Sequence, residues 1–262
     1  MKRYAFRSGY DIVITILCIM FLLTSLGSVG GVGRTRAKDF LCRSHLQQWA
    51  SIFDSFTQDN NGFFPTLGPT DGGGWWIETL WPYHEEAGLF ACPAAMDASP
   101  DIQATHRAWR IGQDTGSYGL NGWIGYRKED AIGHRSAYAH DHWQTPRVWG
   151  GAQIPVLTDM FWTDAWPQSA DMPPATELSL NVQSTAEMQR VCVNRHAGST
   201  NFLFVDGSVR KVGLKEIWVL RWHRSYYIAG PWTMAGGVRS DDWPEWMRQF
   251  KDFYDPSLYE DF

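Results

Sequence analysis

His196 stands ten residues before Asp206 in the run Arg195-His196-Ala197-Gly198-Ser199-Thr200-Asn201-Phe202-Leu203-Phe204-Val205-Asp206-Gly207. A histidine oriented by a carboxylate is the pair that general acid–base chemistry uses, because the acid fixes the tautomer and stabilises the imidazolium. Ten residues of extended chain span about 33 Å, so only a reversal at Gly198 would bring these two together. The plainer reading makes His196 a hydrogen-bonding residue in the loop that enters a hairpin, and Asp206 the former of its turn. His140-Asp141-His142, with His134 six residues earlier, could set two imidazoles on one side of a strand as a zinc or copper site; the ordinary alternative is a polar surface loop between Tyr138 and Pro146. Asp159 and Asp164 follow an expected strand and, with Asp206, would put carboxylates at loop mouths where calcium can bind. Apart from that ion no cofactor is expected. The chain has no paired-His helix motif, nucleophile elbow, phosphate-binding loop or dinucleotide fingerprint. Two acids near tryptophans would suffice for glycoside hydrolysis, but a non-enzymatic protein is the expectation.

These residues need elements to hold them. Asp206-Gly207 lies between two alternating runs, which predicts a β-hairpin with a two-residue turn. That register sets Val205 beside Ser208, Phe204 beside Val209 and Phe202 beside Lys211, with Phe202 and Phe204 on one face and Leu203 and Val205 on the other. With both faces apolar, the hairpin should be central. Strands are predicted over 117–122, 154–158, 201–205 and 208–212, with short helices near 75–82 and after Gly213, in a loop-heavy β-rich head covering 63–238. In the tail, 239–262, Asp242 and Glu245 read as a capping box opening an amphipathic helix whose stripe is Trp243, Trp246, Met247, Phe250, Phe253 and Tyr254.

Hydrophobic content of 44% and charged content of 19% over 262 residues belong to a globular chain with one sizeable core. A net charge of −5 gives no cationic field for a phosphate backbone, so nucleic acid is not an expected partner. The 15 tryptophans point to sugar or partner contacts, or to a loop-rich head held by large rings. Lys2, Arg3 and Arg7 precede an uncharged run of 22 residues from Ile12 to Gly33. At about 33 Å such a helix would cross a bilayer core of about 30 Å, with the N-terminus cytoplasmic. A secretory signal, with Ile12–Leu26 as its apolar region and Gly27–Gly31 as its cleavage region, is the other reading. From Arg36 to Phe56, residues Phe40, Leu41, Leu46, Trp49, Ala50, Phe53 and Phe56 recur at spacings of three and four, so an amphipathic helix over 34–62 should continue the stem. Asn61-Gly62 and Pro65 should stop it. Cys18 lies in the apolar run; Cys42, Cys92 and Cys192 lie beyond it, where an oxidising exterior would permit pairing.

Taken together, the basic segment 1–9, the apolar segment 10–33, Cys42 with Leu46-Gln47-Gln48, the Asp59 to Pro65 turn and the His196 to Asp206-Gly207 signature, in which Asn201 also falls, resemble prepilin-like proteins of the type II secretion pseudopilin kind. These carry an N-terminal cleavage and methylation segment and a C-terminal His-X9-Asp-Gly signature. The resemblance implies an α+β, pilin-like fold: a long N-terminal transmembrane helix packed on a small antiparallel sheet with aromatic loops. It implies a subunit of a type II secretion or type IV pilus-like filament, partnered by other pilin-like subunits. Such a subunit is held single-pass in the inner membrane before assembly, N-terminus inside and head periplasmic or extracellular. A prepilin peptidase would cut at Gly9-Tyr10. Where the family has an acid at the fifth position after that junction, this chain has Ile14, with Asp11 at the second, and the stretch also reads as an uncleaved anchor. Phe90-Ala91-Cys92-Pro93 is similar to the family's second cysteine motif, which implies a Cys42–Cys92 disulfide; Cys92–Cys192 is the competing pair. A secreted or membrane-tethered carbohydrate-binding protein using exposed tryptophans is the alternative from another class.

Overall fold

The computed structural model describes residues 9–66, 75–84, 87–95, 108–111, 114–125, 136–177 and 185–253. The expected leader before Gly9, His134, and the tail beyond residue 253 lie outside them.

The first helix, α1, runs Gly9–Asp59 without a break, 51 residues or about 76 Å. Its stop is as expected from composition: Asn61 and Gly62 both take positive φ, 57° and 81°, a conformation that Asn tolerates and Gly adopts freely. Only the last part of α1 is covered. Cys42, Leu46, Trp49, Phe53 and Phe56 are buried at spacings of four, three, four and three, which line one helix face. Phe40 and Leu41, expected in that stripe, point away from the head and are exposed.

Among the described residues no helix is long and apolar enough to cross a membrane. This overturns the transmembrane reading of 10–33, and with it the single-pass inner-membrane location. The densely apolar part, Ile12–Leu23, is only 12 residues, about 18 Å of helix against a core of about 30 Å. Thr24, Ser25, Gly27, Ser28, Gly30, Gly31 and Gly33 dilute the remainder.

The head is α+β, but its sheet is mixed rather than antiparallel throughout. A two-stranded ribbon, β1 (Trp109–Ile111) and β2 (Asp114–Gly116), precedes β3 (Tyr118–Asn121), β4 (Pro155–Asp159), β5 (Asp164–Ala165), β6 (Ser199–Phe204) and β7 (Val209–Gly213). The last five form one sheet in the order β5-β3-β4-β6-β7. Neighbours are antiparallel except β5, which runs parallel to β3 through Leu120 opposite Asp164. Three short helices complete the head: α2 (Trp76–Leu80), α3 (Met188–Val191) and α4 (Glu245–Arg248).

The hairpin forms one residue out of the expected register: Leu203 faces Val209, Phe202 faces Arg210 and Asn201 faces Lys211. Gly207 alone takes positive φ, 80°, while Asp206 does not, so the mirror-image turn that needs positive φ at both central residues cannot form. A three-residue loop closes instead, with Phe204 N–H donating to Ser208 O at 2.9 Å and Gly207 N–H to Phe204 O at 2.9 Å. Alternation still separates the faces. Leu203 and Val205 join the core under α1, with Tyr118, Leu120 and Leu157, whereas Phe202 and Phe204 join a second core with Met188, Trp218, Trp222, Trp243 and Met247. The tail is not the long helix expected: α4 is a single turn, and Trp243 and Met247 bury themselves in the head's own second core. The sheet is thus sandwiched between α1 and a layer of loops.

Asp171 belongs to that loop layer. Its Oδ2 accepts from Gln168 N–H at 3.0 Å and Met188 N–H at 2.9 Å. Burial, aided by the Glu187 carboxylate, pushes its pKa up to about 6 against the opposing pull of these amides. A folded value above the unfolded one of about 3.9 means that the group supports the fold when protonated, and that this contribution is lost as pH rises from about 4 to about 6. Asp171→Asn keeps an acceptor without the charge. Its stability relative to the parent should therefore climb across that window, by up to about 3 kcal/mol, as read by urea midpoints at stepped pH; a constant difference would refute the assignment.

Candidate metal centre

Four side chains from four separate elements converge beneath α1. Cys42 comes from α1, Cys92 from the loop after the 3-10 turn Ala87–Phe90, Asp159 from the last position of β4, and His196 from the loop entering β6. Their ligand atoms all lie within 4.8 Å of one another and all four residues are buried. A bulge between Pro155 and Leu157 adjusts the register of β4 ahead of Asp159. Ala197 and Gly198 both take positive φ, 54° and 80°, turning the chain sharply after His196 so that its ring points in toward α1 while β6 starts back along the sheet.

The contacts are short. His196 Nε2 is 2.9 Å from Asp159 Oδ2 and 3.3 Å from Cys92 Sγ, and Cys42 Sγ donates to Asp159 Oδ2 at 3.3 Å. The other ring nitrogen, Nδ1, is 3.2 Å from Asp39 Oδ1. On the far side of Asp159, Arg195 Nη1 donates to Oδ1 at 2.8 Å and Ser117 Oγ to the same oxygen at 3.3 Å. Ala94 N–H donates to Cys92 Sγ at 3.3 Å, and Ser117 Oγ accepts from Cys92 N–H at 2.7 Å. Burial raises the Cys42 thiol well above its ordinary value, as do Cys92 and Asp159. Cys92 is lowered, chiefly by its bond with Cys42 and against its burial, with help from His196. Burial would raise Asp159, but His196 and Arg195 outweigh it and hold the acid low. Burial would lower His196, but Asp159 and Cys92 overcome it and carry the imidazole up to about 9.

No sequence pattern places these four residues together. Cys42 and Cys92 do meet, yet as thiols and not as a disulfide. Cys192 lies in the second core, across the sheet from Cys92, which removes the competing pair; it caps α3 and is buried. The expected calcium trio is scattered. Asp159 sits in this cluster, Asp164 pairs with Arg190 at 3.3 Å, and Asp206 turns back on Ser208, whose N–H and Oγ it accepts at 3.0 and 2.6 Å. Nor does His196 meet Asp206, for they lie beyond opposite ends of β6. The 140–142 segment is no polar surface loop: His140 is exposed, but Asp141 and His142 are buried, and the His142 ring packs against both Trp123 and Trp166.

Asp39, Arg195 and Ser117 belong to the site as well, holding His196, Asp159 and Cys92 from outside the four. A signal existed for Asp39, which stands three residues before Cys42 and so shares its helix face. The signature residues in fact address α1. Asn201 Nδ2 donates to Asp39 Oδ1 at 3.1 Å, His196 meets the same oxygen, and Gly207 O accepts from Gln47 Nε2 at 3.4 Å. Gly9 and Tyr10, the expected processing junction, open α1 far from this cluster. Compared with protein-family models, curated proteins and solved structures, the chain matches none.

Proposed function

We propose that the chain is a structural, pilin-like subunit that builds a filament of the type II secretion or type IV pilus kind by packing its N-terminal stem against the stems of other copies. The observation that carries this reading is the division of α1. Its last five turns hold the head, while before residue 39 the side chains of Ile12, Val13, Ile14, Ile16, Leu17, Ile19, Met20 and Phe21 are all exposed, by 49 to 72%. At 100° per residue, positions 12, 13, 14, 16, 18 and 19 leave no gap wider than about 100° around the helix. A helix apolar all round is stable only when surrounded, and like stems, laid parallel, supply that cover while leaving the heads outside. Exposed Phe40 and Leu41 extend the sticky surface to the edge of the head.

The sugar-binding alternative draws less support, since of the 15 tryptophans only Trp75, Trp81 and Trp149 are exposed. Sedimentation velocity and negative-stain microscopy of the full chain should find assemblies that grow with concentration. Leu17→Glu combined with Phe21→Glu should raise the midpoint concentration at least about tenfold, the effect of some 1.4 kcal/mol at each contact, with the tryptophan emission of the head unchanged. A parent chain that stays monomeric at all concentrations would sink the reading.

A further inference from the structure

From the cluster under α1 we infer that Cys42, Cys92, Asp159 and His196 bind one zinc ion in a closed structural site that fastens the stem helix to the head. The site goes beyond the filament reading and does not depend on it.

Donor type comes first. Two thiolates and an imidazole are ligands that zinc prefers, and calcium, which takes oxygen alone, does not fit them. Spacing comes second. With zinc bonds of about 2.3 Å to sulfur and about 2.0–2.1 Å to nitrogen and oxygen, a tetrahedron has edges of about 3.3 to 3.8 Å. The contacts of 2.9 and 3.3 Å and the outer limit of 4.8 Å bracket those edges, so small side-chain shifts suffice. Four protein ligands, each no more than 2% exposed, leave no open position for water or substrate, which is the mark of a structural rather than a catalytic ion.

The surroundings are those of ligands already held for a metal. His196 presents Nε2 to the centre while Nδ1 faces Asp39, the carboxylate-to-histidine arrangement that orients a metal-bound imidazole. Asp159 presents Oδ2 to the centre while Oδ1 is fixed by Arg195 and Ser117, and Ala94 N–H donates to the Cys92 sulfur. Charge balances as well. Binding Zn²⁺ releases the thiol protons of Cys42 and Cys92 and the Nε2 proton of His196, with no change of oxidation state. Two thiolates, one carboxylate and a neutral imidazole around the ion carry one negative charge, which the fully buried Arg195 neutralises.

Elemental analysis of the full, untagged chain, purified without chelator, should find close to one zinc per molecule that survives dialysis. Cys192→Ser and Cys18→Ser should keep it, and Cys42→Ser and Cys92→Ser should lose it. Asp39→Asn, which leaves all four ligands in place, should weaken zinc roughly 10–100-fold in chelator competition. Cobalt(II) exchanged into the parent chain should show the strong visible bands of a tetrahedral ion with thiolate-to-cobalt charge transfer. That spectrum decides the matter even if the cysteine variants fail to fold. A chain that takes up no zinc after reduction would overturn the inference, whether its intact mass before reduction shows free thiols or a Cys42–Cys92 disulfide lighter by two hydrogens. So would the weak spectrum of six-coordinate cobalt. Leu17→Glu with Phe21→Glu should leave the zinc content unchanged, so this result and the assembly result can fail separately.

Discussion

Arg195→Leu is expected to destabilise the head by about 3–5 kcal/mol, the cost of leaving one member of a buried ion pair alone. Arg195 and Asp159 have fully buried side chains, joined at 2.8 Å. The same Nη1 also donates to the carbonyls of Ser117 and Met160, at 3.1 Å each, so its removal takes a donor from two more acceptors, of which Ser117 O keeps the Met160 N–H at 2.8 Å. Zinc does not rescue the variant, because the four-ligand shell itself carries a negative charge that only Arg195 offsets inside the fold. The loss compares with a total stability of about 5–15 kcal/mol for a domain and should appear as a lowered urea midpoint with an unchanged slope. Arg195→Leu combined with Asp159→Asn should recover part of it, since no buried anion is then left over. If the single substitution costs less than about 1 kcal/mol, the pair is not the keystone described.

What could be read in advance was periodicity. The three-and-four spacing of Leu46, Trp49, Phe53 and Phe56 placed the covered part of α1, and alternation through Phe202-Leu203-Phe204-Val205 divided those residues between the two faces of β6 that they occupy. Asn61-Gly62 marked the helix end because only such residues take positive φ without strain. Turn type was harder. Asp206-Gly207 fits two loop geometries that differ by one residue, and which one forms is settled by packing on both faces of β6, not by the dipeptide. The amphipathic tail differs in another way: Trp243 and Met247 supply a helix-like stripe and fill the second core from a single turn, and beyond that turn Phe250 packs against the same core without continuing the helix. The metal centre was nearly illegible. Its four ligands are separated by 50, 67 and 37 residues, and no local pattern records that a strand end, a loop and a helix face meet. Each residue has a separate reading in the sequence, and only the meeting of β4 with β6 under α1 gives them a common one.

Trp49→Ala should be as damaging as the loss of Arg195, through packing instead of charge. Trp49 is fully buried at the centre of an aromatic cluster, with ring centroids of Trp76, His84 and Phe90 at 5.5, 5.3 and 5.3 Å and Phe53 at 6.4 Å. Truncation opens a large cavity that four surrounding rings cannot easily close, at about 3–5 kcal/mol. It also strands the Leu89 carbonyl, which accepts from Trp49 Nε1 at 2.9 Å, for about 1 kcal/mol more. Trp49→Phe keeps most of the apolar volume and should cost about half as much. Trp149→Ala, at a ring 75% exposed that lies over the Arg221 guanidinium, should stay within about 0.5 kcal/mol of the parent. Because Trp49 lies in the part of α1 that the head covers, its loss should free the stem from the head and expose the segment around Asp59 to proteases, while the apolar residues from Ile12 to Phe21 remain able to associate. The stem substitutions should do the reverse, weakening assembly at least about tenfold in a head that melts as before. If Trp49→Ala and the stem pair instead move stability and assembly together, α1 is not divided at Asp39 into a part that associates and a part that anchors.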